Sequence, residues 1–215
     1  MRPRPRYECG EEDVLELIEE LAGQTYVSIE YGMQTMHDRS LTWMNRGCTH
    51  QAMIDAVVRS RNRGFEICGH IMLGLPGESR SDMLATAREV ARLGLDAVKI
   101  HNLYAVKNTP LADQVASGEV TLMPRDEYVR TVVDFLELLP AECIVERISG
   151  DAPADYFIGP SWCLDKPAVK NAIEQQLRDR DTWQGRLCAV PNSTDSTEPA
   201  KTDTVTLRSA ENAGF

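Results

Sequence analysis

Cys68-Gly69-His70-Ile71-Met72-Leu73-Gly74-Leu75-Pro76-Gly77-Glu78-Ser79 is a short apolar run that turns sharply through its glycines and opens into a helix at Ser79. Strands that lack polar alternation are buried on both faces in parallel α/β folds. The carboxyl ends of such strands are where these folds bind ligands. The turn therefore reads either as the rim of a binding site or as a plain strand-to-helix connection. In the second case Glu78 simply favours the positive end of the following helix.

Outward from this stretch, one unit recurs: helix, glycine, strand, loop. Residues 11–22 place Val14, Leu15, Leu17, Ile18 and Leu21 at helical spacing, and Gly23 ends the helix. Residues 26–31 follow as a strand that leads into a loop, Gly32-Met33-Gln34-Thr35. Thr49 caps a second helix with Met53, Ile54, Val57 and Val58 inward, closed by Gly64. After the opening stretch, 81–93 reads as a helix ended by Gly94, and 96–101 as a strand. Further on come a helix over 125–139, a fourth strand over 143–148 and a last helix over 166–180.

Strands alternating with amphipathic helices predict right-handed crossovers and a parallel α/β sheet. A closed barrel of this kind takes about eight strands, so three or four cannot close. The strand over 26–31 is left with an open edge, which proteins usually cover or pair. The chain reads as the second half of a larger fold. From about residue 189 Ser, Thr, Pro and Asn dominate, and a disordered tail is expected there.

The chain has 215 residues, a formal net charge of −10 and six cysteines. The acidic balance argues against a broad nucleic-acid footprint, which needs clustered Lys and Arg. Cys9, Cys48, Cys68, Cys143, Cys163 and Cys188 form no CxxC pair and have no histidine at zinc-ligand spacing. No metal site is expected. The basic start at Met1–Arg6 is not followed by an apolar run, and no stretch approaches the roughly 18 apolar residues of a membrane span. Reduced thiols in a cytoplasmic protein are the expectation.

In a parallel sheet the strand ends converge on one face. The first presents Glu30, then Gln34 and Asn45-Arg46-Gly47; the second presents His70 and the glycine turn. The third presents His101, Asn102, Tyr104 and Lys107. Arg46 could grip a carboxylate, while Glu30, Gln34 and His70 could hydrogen-bond hydroxyls of a polar ligand. Each also has a plainer reading. Glu30 could pair with a neighbouring Lys or Arg, Arg46 could be a solvated turn residue, and either histidine could be structural.

Several motifs together resemble the radical S-adenosylmethionine (radical SAM) enzymes. They are Ile29-Glu30-Tyr31-Gly32-Met33-Gln34-Thr35, Asn45-Arg46-Gly47 and the run from His70 to Glu78. Val98-Lys99-Ile100-His101, Glu127-Tyr128, Val145-Glu146-Arg147, Gly159-Pro160-Ser161-Trp162 and Arg180-Asp181-Thr182-Trp183-Gln184-Gly185 extend the likeness. The most similar group is a bacterial one that shares its core with the catalytic subunit of Elongator.

The resemblance implies a partial TIM-like (β/α)6 barrel of which the chain carries the C-terminal half, over 1–122. A C-terminal α/β extension over 123–187 and the tail over 188–215 would follow. It implies that S-adenosylmethionine binds at the open face. Gln34, Arg46 and His70 fall on SAM-contacting positions, His70 standing where oxygen-independent coproporphyrinogen dehydrogenases carry Asp. Ala105 falls where backbone meets the adenine, and Glu30 lines the same mouth.

The family's CxxxCxxC loop, which holds a [4Fe-4S] cluster, is absent from these 215 residues. The implied function is the C-terminal part of an enzyme that generates a 5′-deoxyadenosyl radical for hydrogen abstraction. The cluster is expected only with an N-terminal half or a separately encoded cluster-bearing partner chain. RNA enters as a substrate by analogy alone. The alternative is a non-catalytic α/β module that binds a nucleotide-like ligand or a partner.

Overall fold

The computed structural model describes residues 11–150 and 154–189. In chain order the elements are α1 (Glu12–Ala22), β1 (Ser28–Gln34), α2 (Asp38–Trp43), α3 (His50–Ser60), β2 (Glu66–Leu73) and α4 (Arg80–Leu93). They continue with β3 (Ala97–Asn102), β4 (Ala105–Val106), α5 (Pro110–Ala116), α6 (Arg125–Leu138), β5 (Ile144–Arg147), β6 (Phe157–Gly159) and α7 (Lys166–Asp179). Four strands form one parallel sheet in the order β1-β2-β3-β5, and β4 pairs antiparallel with β6. The fold is α/β, with an open four-stranded sheet among the described residues.

Local chemistry explains the helix ends. Thr49 Oγ1 accepts from the Ala52 amide at the start of α3. Ser79 and Asp82 cap α4 reciprocally, each side chain taking the other's backbone N–H. At its far end Gly94 adopts the left-handed conformation (φ +56°) that a side chain disfavours.

Strand alternation then sorts the sheet into two faces. Ile67, Ile71, Leu73, Val98, Ile100 and Val145 join buried residues of α1, α3, α4, α6 and α7 in one core. On the other face His70 lies opposite Lys99 and Met72 opposite His101. The expectation that β2 is buried on both faces is therefore corrected. Its burial alternates from His70 to Leu73, because only one side carries helices and the other is polar.

One further boundary differs from the sequence reading. The first strand runs Ser28–Gln34 rather than over 26–31, since its pairing with β2 begins at Ser28 opposite Glu66. It takes in most of the stretch read as a loop and carries an irregularity between Tyr31 and Gln34. The tail read as disordered lies outside the described residues from 190 onward, as does Cys9. No helix among the described residues is long and apolar enough to cross a membrane.

Candidate functional site at the carboxyl ends of the strands

The end of β1 is bent, and the bend brings three residues together. Gln34 has a left-handed backbone (φ +66°), as does Asn45 (φ +52°) just after α2. The second turn folds the chain back so that Arg46 Nη2 donates to the Gly32 carbonyl at 2.6 Å. A Cβ on Gly32 would collide with that guanidinium and would lie 3.0 Å from Gln34 Nε2. Glycine is thus required for Arg46 and Gln34 to sit over the strand.

Two residues before Gly32, on the polar face, an ion array crosses the sheet. Glu30 Oε2 is 2.5 Å from His70 Nε2, and Lys99 Nζ donates to Glu30 Oε1 at 2.5 Å. Lys99 Nζ also lies 3.3 Å from Glu146 Oε2. Burial pushes the Glu30 carboxyl up, but the bonds from Lys99 and His70 outweigh it and hold the group below its ordinary value. Burial likewise opposes the charge on Lys99, yet Glu30 and Glu146 raise its pKa. The His101 ring stacks on His70 with centroids 5.2 Å apart and planes 13° apart. Burial first, then the neighbouring His70, Arg147 and Lys99, lower His101 to about 4, so it is neutral at pH 7.

The glycine turn after β2 closes on the same end. Gly74 (φ +85°) and Gly77 (φ +78°) take conformations that favour glycine. Glu78 does not merely sit at the start of α4. Its Oε1 accepts from Thr35 Oγ1 at 2.7 Å and ties the turn to the end of β1. Glu78 Oε2 is buried without a hydrogen-bond partner in the described structure.

Of the residues singled out from sequence, the structure joins Glu30 to His70 and groups Gln34 with Arg46 around Gly32. Ala105 is fully buried in β4, in register with Gly159 of β6. The plainer reading of Glu30, a pair with a neighbouring lysine, is met by Lys99. Lys99 and Glu146 were not anticipated. Their signal was the alternation Val98-Lys99-Ile100-His101, which sets a lysine and a histidine on the face away from the core.

The five cysteines among the described residues offer nothing to an iron–sulfur cluster. Cys48 and Cys188 are half-buried, Cys68, Cys143 and Cys163 are buried, and all five are free. Burial pushes the Cys68 and Cys143 thiols up to about 12, far from the thiolate a cluster needs. Among the described residues no group of three or more His, Cys, Asp or Glu could hold a metal ion. These residues do not fit a cluster. Arg46 and Gln34 meet over Gly32 at the end of β1.

An open parallel sheet with helices packed on one face and polar groups at its strand ends defines an α/β protein. The family model of the radical SAM superfamily matches residues 3–90, and that of the Radical SAM C-terminal domain matches 95–179. The chain belongs to the radical SAM superfamily. It is 39% identical over 182 residues to protein YtqA of Bacillus subtilis, covering 85% of this chain and 56% of that one. With protein MJ0486 of Methanocaldococcus jannaschii it shares 35% over 182 residues, 84% of this chain and 56% of that one. A tRNA uridine(34) acetyltransferase of the same archaeon is 27% identical over 158 residues, 72% of this chain and 28% of that one. The chain thus spans little more than half the length of YtqA and MJ0486. In fold it is similar to the Methanocaldococcus infernus Elp3 with N-terminus deletion (1-46), at TM-score 0.69 and 18% identity, over 83% of this chain and 41% of that one.

Proposed function

We propose that this chain forms the nucleoside-facing part of an S-adenosylmethionine site in a radical SAM enzyme. The observation that carries the reading is the convergence of Gln34 and Arg46 on Gly32, with His70 on the neighbouring strand β2. The Arg46 guanidinium has five N–H donors, and its bond to Gly32 leaves others for a ligand carboxylate. Gln34 adds an amide, and His70 can hydrogen-bond a ribose hydroxyl. In this superfamily, SAM bound beside a reduced [4Fe-4S] cluster supplies the hydrogen-abstracting group. The cluster would be held by a CxxxCxxC segment outside these 215 residues, continuous with them or on a partner chain.

Saturation-transfer NMR with S-adenosylhomocysteine, which keeps the nucleoside and the amino-acid carboxylate, tests the binding. The wild-type chain is expected to saturate the adenine and ribose protons. Arg46→Ala and Gln34→Ala should each weaken the affinity about 3- to 10-fold, the worth of one hydrogen bond. No saturation of the wild type, or variants equal to it, would overturn the assignment.

A further inference from the structure

Glu30 and His70 share one bond, and that bond gives them different tasks. Both carboxylate oxygens of Glu30 are engaged, Oε1 by Lys99 and Oε2 by His70 Nε2. Lys99 is itself held between Glu30 and Glu146, so the carboxylate cannot swing toward a ligand without breaking two charged contacts. A carboxylate can only accept at Nε2, which makes Nε2 the protonated nitrogen. In the neutral imidazole Nδ1 then carries the lone pair, and the hydrogen bond that the His70 ring makes among the described residues is the one at Nε2. The stacked His101 ring holds the imidazole plane from one side.

We propose that Glu30 is a positioning residue that holds His70 in the Nε2–H tautomer, so that Nδ1 accepts from a hydroxyl of a ribose-type diol. This rests on the reading that a nucleoside binds at this end of the sheet. The Glu30–His70 dyad takes the place of a carboxylate as acceptor. Lys99 and Glu146 keep Glu30 aligned and ionised.

Glu30→Gln separates positioning from packing, since it preserves shape. Lys99 can only donate, so the new amide oxygen turns to Lys99 and the amide nitrogen faces Nε2. Nε2 must then accept, and the proton moves to Nδ1. The readout is the long-range ¹H–¹⁵N histidine spectrum of the full chain at pH 8, compared between wild type and Glu30→Gln, with His70→Asn used to assign the signals. The groups facing His70 that could also titrate are Glu30 of β1, Lys99 and His101 of β3, and Glu146 and Arg147 of β5. The spectrum is therefore followed from pH 5 to 9.

The wild type is expected to show His70 as Nε2–H, and Glu30→Gln as Nδ1–H. A wild type already protonated at Nδ1, or a tautomer unmoved by the substitution, would overturn the proposal whatever binds. The ligand arm uses adenosine and 2′- and 3′-deoxyadenosine. Removing the hydroxyl that meets Nδ1 should cost the wild type about 3- to 10-fold and Glu30→Gln almost nothing. Equal losses in both proteins would overturn the hydroxyl assignment. If adenosine fails to bind the wild type at all, the nucleoside reading of the site falls, while the tautomer arm still reports on Glu30.

Discussion

Gly32 and Gly69 face each other's strands, yet a methyl group has opposite consequences at the two positions. At Gly32 the atom in the way is the far end of an exposed arginine, which can move aside. At Gly69 it is Leu95 Cδ1, with Met33 Sδ 3.3 Å away, in the packed core. Gly32→Ala should therefore cost about 1 kcal/mol or less in stability, one hydrogen bond to a carbonyl. It should also abolish the contribution of Arg46 to S-adenosylhomocysteine binding. Gly69→Ala should cost about 1–3 kcal/mol through overpacking, lowering the melting temperature by roughly 2–4 °C for each kcal/mol. Thermal melts followed by circular dichroism, paired with the saturation-transfer titration, check both. A Gly32→Ala protein as weakened in its fold as Gly69→Ala would show that the glycine serves the strand and not the site. At this scale the sequence disclosed the residue types but not their pairing. Glu30, Gln34, Arg46 and His70 stood out as polar groups at strand ends. That Lys99 would claim Glu30 depended on β3 lying beside β2 in register, which no local pattern encodes.

Among the elements, α6 carries two acids that burial alone would forbid. Asp134 and Glu137 are only 5% and 6% exposed, and each is met from a neighbouring segment. Arg80, the first residue of α4, donates to Asp134 Oδ2 at 2.7 Å. Arg180, just past α7, lies 2.9 Å from Asp134 Oδ1 and 3.0 Å from Glu137 Oε2. Thr182 Oγ1 donates to Glu137 Oε1. Since Arg80 directly follows the glycine turn, this clamp fixes the start of α4, and with it the turn, against the C-terminal helices. Each acid keeps a donor when one arginine is lost. Arg80→Ala should then cost about 1 kcal/mol, and Arg180→Ala, which leaves Glu137 with Thr182 alone, about 1.5–3 kcal/mol. The double substitution leaves both Asp134 and Glu137 buried without a cation and should cost about 6 kcal/mol or more, beyond the sum of the two. Denaturant unfolding of the four proteins measures the cycle, and simple additivity would remove the clamp from the account. The long helices were legible because capping residues and apolar spacing agree, as at Thr49, Ser79 and Gly94. The short α2, α5, β4 and β6 were not. β4 and β6 run two and three residues and exist only through pairing across some fifty positions of chain, and α2 has six residues with no side-chain cap.

For the molecule as a whole, the sheet has one helix-covered face, one charged face and two edges, β1 and the short β5. The charged face is not an error of folding: Glu30, Lys99, Glu146 and His70 satisfy one another across three strands and a fourth. A sheet face that pairs its own charges can remain wet, so the apolar cost of openness falls on the edges. At the first, no strand among the described residues pairs with the outer side of β1. Arg46 occupies one carbonyl at its end, that of Gly32, and the remainder is a template for another strand. The 215-residue chain on its own should accordingly self-associate in a concentration-dependent way. The contact would be backbone pairing and not ion pairing, so raising the salt should leave it in place, because screening acts on exposed charges. Light scattering after size exclusion, at 50 mM and 500 mM salt, reads this directly. A monomer at all concentrations with one sharp cooperative melt would mean that the β1 edge is already covered, and the half-barrel reading of this sheet would then have to be given up. Association that vanishes at high salt would move the contact from the edge to the charged face.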